Sequence, residues 1–381
     1  MTGVIVIEGH VQGLSNTRSF GMNKIPVWVI DTENCITRYS RFCNKFIICP
    51  GFNTQAFIDF LCELSNQYNL NDWMLLPSND HAVHNISKNL NTLEKYFKVI
   101  TPRIEIIDKI YNKTTLIEIA KSIGVPVPKT YDLENIDLKK IEYPILIKGV
   151  QGLSFYKQFK QKVILISDSE ELKNILNSLS KKISKEKVFI QELIPYVEEN
   201  KTTSFAAFCI NGEIKTYWMG VKLREHPIRF GTAIMAKSVK IDELYITSFK
   251  LLKEIEYTGI CEIEYLKDPN DGEYKLIEIN PRTWLWVGLA IKNGINFPKF
   301  AFDYVNGLSI PEHKDYPENM YWQNPITNFV YSMQGIITGK LNLNEYLKTI
   351  FIKKENALFS NYDPIPGLVY LFKILSFYKR R

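Results

Sequence analysis

A chain that opens as a doubly wound α/β unit and continues as two α+β lobes is the architecture expected from three features. VIVI at 4–7, a glycine turn with a helix, and PVWVID at 26–31 form a βαβ opening, the continuous apolar runs marking strands buried on both faces. From residue 143 onward short apolar strands follow one another with tight turns, as in antiparallel sheet. The 381 residues allow two or three domains at roughly 150 residues each, and 45% apolar content supplies a full core.

Taken in order, WMLLPSND at 73–80 reads as a later strand of the first sheet, with Ser78, Asn79 and Asp80 at its carboxyl edge, where open α/β sheets place ligands. A second unit begins near 105. In NKTTLIEIAKSIG, Leu116, Ile119, Ala120 and Ile123 follow the spacing of one buried helical face. Gly124 then ends the helix, and Pro126 and Pro128 bar its continuation. Strands are expected at 143–149, 162–167, 187–194, 203–210 and 213–221, with a helix over 169–181. Asn211-Gly212 predicts a tight hairpin between two of these strands. The expected divisions are 1–105 (Rossmann-like), 106–310 (with a small lobe at about 125–195) and a helical C-terminal extension over 311–381.

Composition excludes several classes. The net charge of +6 comes from 47 basic and 41 acidic residues without a basic stripe, which argues against nucleic acid. Six cysteines without a CxxC pair suit a reducing compartment. VIVIEG lacks the basic start and cleavage site of a signal peptide, so a cytoplasmic setting is expected. No stretch reaches the ~20 apolar residues of a span. LVYLFKILSFYKRR at the end reads as a helix docked on the protein, and membrane contact is at most peripheral, through this basic helix.

The chemistry concentrates in GICEIEYLKDPNDGEYKLIEINPR (259–282), two strands joined by a DPNDG turn. Glu262 and Glu264 share one face of the first strand, and Glu278 and Asn280 share one face of the second. A hairpin brings two carboxylates and a carboxamide onto one patch. Such hard oxygen donors suit Mg²⁺ held together with substrate phosphates, and like charges so close repel without a cation. The plain alternative is a surface hairpin whose carboxylates find Lys and Arg partners.

These residues resemble the motif of the ATP-grasp superfamily, in particular carboxylate–amine ligases of the D-aspartate ligase and carbamoyl-phosphate-synthetase-like type. The resemblance covers residues ~1–310 and is strongest over 187–290. It implies an ATP-grasp fold in which two lobes sandwich ATP, and a reaction in which a small-molecule carboxylate is activated as an acyl phosphate and coupled to an amine. It further implies that Glu264, Glu278 and Asn280 bind two Mg²⁺ ions, with Mn²⁺ as an alternative, and that Arg282 holds the transferred phosphoryl group. Lys113 and Lys148 match the two phosphate lysines. Gln191, Glu192, Leu193 and Ile194 match the adenine hinge, and Glu198 or Glu199 the ribose carboxylate. Lys222 and Arg224, alternate residues in KLREHPIRFGTA, would both face the site. An amino acid or sugar acid suits the substrate role, and a homo-oligomer is compatible with the family.

Two departures stand out. After Lys148 the chain reads QGLSFYKQFKQK with one glycine, where a glycine-rich flap is common, and Lys157 and Lys160 are the substitutes on offer. Tyr196 stands where glycine is common in the hinge. In the N-terminal loop, His10 and Arg18 are weak candidates for substrate contact, and Arg18, Arg224 and Arg229 are the cations available to a carboxylate. Two other readings compete: a nucleotide-binding module without catalysis, suggested by the flap, and a dinucleotide-dependent oxidoreductase, weakened because Gly9 and Gly13 lack the third glycine of that fingerprint.

Overall fold

The computed structural model describes residues 2–131, 141–150, 155, 158–159, 161, 163–180, 188–195, 197, 200–228, 230–310 and 315–379. The first sheet holds β1 (Val4–Ile7), β2 (Val27–Asp31), β3 (Lys45–Ile48), β4 (Trp73–Pro77) and β5 (Phe97–Val99). Its order is β3-β2-β1-β4-β5 and every pairing is parallel. The apolar run of β1 is explained by its two faces. Val4 and Val6 pack into one core, whereas Ile5 and Ile7 pack into another with Phe57 and Leu61. Those two belong to α2 (Gln55–Tyr68), which starts at Thr54 as N-cap. The other face is covered by α1 (Val11–Met22), buried along nearly its whole length. A side chain at Gly13 would have its Cβ 2.1 Å from the Glu8 carbonyl oxygen, so only glycine lets α1 start this close to β1.

After β4 come α3 (Asp80–Lys88) and the single turn α4 (Leu90–Leu93), then α5 (Ile104–Tyr111) and α6 (Lys113–Ser122). The predicted stop of α6 is present: Gly124 has φ +70, in the left-handed region. A four-stranded antiparallel sheet follows, with β6 (Thr130–Tyr131), β7 (Ile145–Gly149), β8 (Val163–Ile166) and β9 (Val188–Glu192) in the order β6-β9-β7-β8. Between β8 and β9 runs α7 (Ser169–Ser180), whose Leu172 packs against Ile145, Ile147 and Ile190.

The largest sheet has seven strands in the order β14-β13-β10-β11-β12-β15-β16. They are β10 (Thr203–Ile210), β11 (Glu213–His226), β12 (Thr232–Ser238), β13 (Gly259–Lys267), β14 (Tyr274–Asn280), β15 (Tyr321–Gln323) and β16 (Lys354–Asn356). The β10–β11 hairpin turns at Asn211 (φ +48) and Gly212 (φ +78), the doubly positive turn that the dipeptide predicts. Strand β11 runs five residues past its expected end, which places Lys222 and Arg224 inside the sheet. The remaining helices are α8 (Asp242–Glu254), α9 (Val287–Lys292), α10 (Phe297–Val305), α11 (Pro325–Ile337), α12 (Leu343–Ile350) and α13 (Ile365–Lys379).

The C-terminal segment differs from the helical expectation in one respect. Its helices are present, but β15 and β16 extend the large sheet, β15 pairing with β12 at Met235↔Gln323. Three-residue strands are too short to show an alternating pattern in the sequence. The same segment corrects the reading of Arg18 as a substrate contact. Its Nε lies 2.9 Å from Asp363 Oδ2, and Nη2 donates to the carbonyls of Leu358 and Asp363, each at 2.8 Å. Arg18 is a buried anchor. Arg18→Ala strands Asp363 without its ion partner and is expected to cost about 3 kcal/mol, read as a lower urea midpoint with unchanged slope. Among the described residues no helix is long and apolar enough to cross a membrane.

Candidate active site

The hairpin β13–β14 pairs Glu262 with Asn280 and Glu264 with Glu278 directly across the ladder. Two like charges opposite each other destabilise a sheet. Here each carboxylate has its own lysine. Lys113 Nζ lies 3.3 Å from Glu278 Oε2, and Lys222 Nζ lies 2.8 Å from Glu264 Oε1. Lys222 projects from β11 across β10, and both it and Glu264 are largely buried. Burial disfavours the Lys222 ammonium, yet Glu264, Glu225 and Glu262 outweigh it and hold the group above its usual range.

Glu262 lies deepest. Ser204 Oγ donates to its Oε1 at 2.8 Å and Asn280 Nδ2 to its Oε2 at 3.2 Å. Desolvation first and Glu264 second raise its carboxyl above the usual range. As donors toward a cation the patch offers the carboxylates of Glu264 and Glu278 and the amide oxygen of Asn280. Among the described residues no three His, Cys, Asp or Glu side chains converge tightly enough to hold an ion unaided. The set therefore fits Mg²⁺ arriving with phosphate oxygens, the usual manner for that ion.

Lys148, at the end of β7, is buried and donates to Gln191 Oε1 at 2.7 Å. Gln191 is thus paired with Lys148 on the cavity wall, beside Glu192, Leu193 and Ile194. Glu192 is itself tied down, accepting from Lys129 N at 2.7 Å and Lys275 Nζ at 3.3 Å. The backbone N–H of Lys113 donates to the Val150 carbonyl at 3.0 Å, which fixes the start of α6 against the end of β7. Burial, and then the Lys113 ammonium, push Lys148 down to about 7. A nucleotide phosphate beside it favours the charged form, so binding takes up a proton when Lys148 starts neutral. Nucleotide affinity is expected to fall above pH 7, by up to about tenfold per unit. Calorimetric titration in two buffers of different ionisation enthalpy reads that uptake directly.

Arg282 follows the β14 strand and is clasped from the first sheet. Its Nε donates to Asp80 Oδ1 at 2.8 Å and its Nη2 to Asp80 Oδ2 at 3.2 Å. Nη2 also reaches Asn280 Oδ1 at 3.4 Å, and Nη1 the Thr283 carbonyl at 3.1 Å. Asp80 is the first residue of α3 behind the Asn79 cap, and Tyr111 Oη donates to its carbonyl at 3.0 Å. Just beyond Arg282, Trp284 and Trp286 are buried, each within 6 Å of Trp218 by ring centroids (5.8 and 5.2 Å). They anchor the chain that follows Arg282, together with Thr283 Oγ1, which accepts from Asn16 Nδ2 at 2.9 Å.

Arg224, like Lys222, lines the cavity, toward its C-terminal end. The ladder slips between Lys222 and Arg224, and the guanidinium goes to the C-terminal helices, 3.3 Å from Asn328 Oδ1 and 2.9 Å from Thr349 Oγ1. His10 is exposed at the N-cap of α1. Glu198, Glu199, Tyr196, Arg229 and the flap lysines Lys157 and Lys160 lie outside the described residues. The residues sequence reasoning missed as partners are Asp80, 202 positions from Arg282 along the chain, and Glu262, seen as a face-mate of Glu264 but not as the buried acceptor.

Lys113, Lys148 and Lys222, the carboxylates of Glu262, Glu264 and Glu278, Asn280, Asp80 and Arg282 line one cavity of about 1170 Å³. It runs from Lys148 and the hinge residues 191–195, past Lys113, Lys222, Glu264, Glu278, Asn280 and Arg282, to Tyr331, Gln334 and Thr338 near the C terminus.

Residues 228–293 match the family described as carbamoyl-phosphate synthase L chain, ATP binding domain. The D-aspartate ligase of Enterococcus faecium is 26% identical over 311 residues, covering 77% of this chain and 73% of that protein. Among solved structures, biotin carboxylase from Campylobacter jejuni superposes with a TM-score of 0.66 at 14% identity, over 84% of this chain and 74% of that one. N5-carboxyaminoimidazole synthetase from Staphylococcus aureus gives 0.65 at 16% identity, over 89% and 86%. The chain is thus similar to the carbamoyl-phosphate synthase ATP-binding domain and to D-aspartate ligase in sequence, and to biotin carboxylase and N5-carboxyaminoimidazole synthetase in fold.

Proposed function

We propose that the chain joins a small-molecule carboxylate to an amine at the expense of ATP, through an acyl phosphate. The observation that carries this reading is the ladder register Glu264↔Glu278 and Glu262↔Asn280, set beside Lys113, Lys222 and Arg282. A carboxylate oxygen of the substrate attacks the γ-phosphorus. The bond from that phosphorus to the bridging oxygen breaks, and ADP leaves with the electron pair. The amine nitrogen then attacks the acyl carbon, phosphate departs, and the amine loses a proton.

Lys113, Lys148, Lys222 and Arg282 lower the cost of negative charge moving between oxygens. Glu264, Glu278 and Asn280 would hold two Mg²⁺ ions, which supply charge neutralisation and geometry to the phosphates when bound. The backbone of 192–194 would meet the adenine edge, and Glu198 or Glu199 the ribose. Arg282, held by Asp80, faces the acyl phosphate. Arg224 stays in the reading as the residue that fastens β11 to the C-terminal helices at the cavity wall. The cytoplasmic setting is supported by six free thiols. The units 1–105, 106–310 and 311–381 are retained as the proposed division; the first boundary is supported by the parallel sheet ending at Val99, and the last segment adds β15 and β16 to the large sheet.

The E. faecium relative, named for D-aspartate, suggests an amino acid as one of the substrates. ADP release measured over a panel of amino acids and sugar acids with Mg²⁺ tests the reading. Acceptor-dependent turnover with amide product supports it; tight ATP binding without turnover on any acceptor would point instead to a non-catalytic nucleotide module.

A further inference from the structure

Among the described residues the C-terminal helices carry exposed apolar stripes. On α11, Tyr331, Gln334 and Thr338 line the cavity, and round the helix from them Phe329 lies about half a turn away and Ile337 about a quarter turn. Both are exposed, Ile337 at 84%. One side of this helix is thus a wall of the active-site cavity and the other an apolar surface. Helix α12 has no buried residue at all. Its Leu343, Leu347 and Ile350 form one exposed stripe at helical spacing, followed by Phe351 at 94% exposure. Helix α13 repeats the pattern with Ile365, Leu368 and Phe372. Large apolar groups at three successive helices exceed the scattered exposure usual on a soluble surface.

Charge distinguishes between the occupants that such a surface could take. Residues 325–381 contain eight Lys and Arg against three Asp and Glu, so they carry +5 of the chain's +6. Lys340, Lys348 and Lys353 are exposed among or beside the stripes, and the sequence closes on Lys379, Arg380 and Arg381. A second copy would bring the same positive surface against itself. An anionic lipid bilayer matches both properties, since its acyl boundary takes the apolar side chains and its headgroups the lysines.

We propose that α11, α12 and α13 form a docking surface for an anionic membrane, which holds the α11 wall of the cavity beside the lipid headgroups. This inference is independent of the ligase reading, and its test needs no substrate. The full chain is sedimented with vesicles of phosphatidylcholine alone and with vesicles containing about one third phosphatidylglycerol. Binding to the anionic vesicles alone, weakened by salt as Debye screening requires, is the expected result. The pairs Phe329→Glu with Ile337→Glu, and Leu347→Glu with Phe351→Glu, are expected to reduce that binding by about tenfold or more. Basal ATP turnover without vesicles stays unchanged, because none of the four lies in the site. Lys348→Glu with Lys353→Glu tests the electrostatic half without touching apolar packing. Equal binding to both vesicle types, or none, overturns the proposal. So does light scattering that shows a dimer of the parent chain broken by the same glutamates.

Discussion

Glu278→Ala is expected to lower ATP turnover at saturating nucleotide by about a thousandfold while the protein stays folded. Removing one preorganised charge-stabilising group from a phosphoryl-transfer site costs about 3–4 kcal/mol in the barrier, and each 1.36 kcal/mol is about a factor of ten in rate. Glu278 sits opposite Glu264 on the ladder, and its carboxylate neutralises Lys113. Its side chain is partly exposed to the cavity, so truncation leaves no buried unpaired group and little stability is lost. Asn280→Ala is expected to act in the same direction. It also removes the donor to Glu262 Oε2, which leaves a buried carboxylate short of one hydrogen bond and adds a modest loss of stability. ADP release followed alongside circular dichroism separates these effects. Undiminished turnover in Glu278→Ala would remove the metal role from the hairpin.

Arg282→Ala is expected to abolish most of the activity, about a hundredfold or more in kcat, because on the proposed reading it removes the charge that would receive the acyl phosphate. Asp80→Ala is the more informative change. Asp80 holds Nε and Nη2 of Arg282 from the other side of the cavity, and the carboxylate outweighs burial in keeping the guanidinium charged above its usual range. Without it the side chain regains rotamer freedom, and kcat is expected to fall about tenfold with little change in the KM for ATP. Asp80→Glu, which keeps the charge, should recover part of that loss. In the double variant Asp80→Ala with Arg282→Ala the losses should fall well short of additive, since both act through one group. Additive losses would show that Asp80 works independently of Arg282.

Much of this site is legible along the chain because its chemistry is local. The 259–282 hairpin is specified by alternation and a tight turn, and a bulge between Glu264 and Tyr265 then brings Glu264 opposite Glu278. The strand VIVI, the stop at Gly124 and the turn at Asn211-Gly212 are read for the same reason: each is fixed by the backbone preferences of adjacent residues. Arg224 shows the limit of that logic. Alternation puts it on the cavity beside Lys222, but its partners Asn328 and Thr349 lie 104 and 125 positions on, and no pattern within KLREHP marks them.

Residues that meet across large separations have no such signature. The lysines that neutralise the hairpin come from 165 and 42 positions away, and the aspartate that clasps Arg282 from 202. Arg18, a substrate candidate by its charge, finds Asp363 after 345 residues and becomes a buried anchor. The order of residues thus fixed the strand–turn chemistry and the oxygen donors it presents, since those depend on dihedral preference and two-residue periodicity. Which cation serves which carboxylate, and which wall the last helices supply, came from packing three sheets together, because burial and Coulomb energy depend on distance in space and not on distance along the chain.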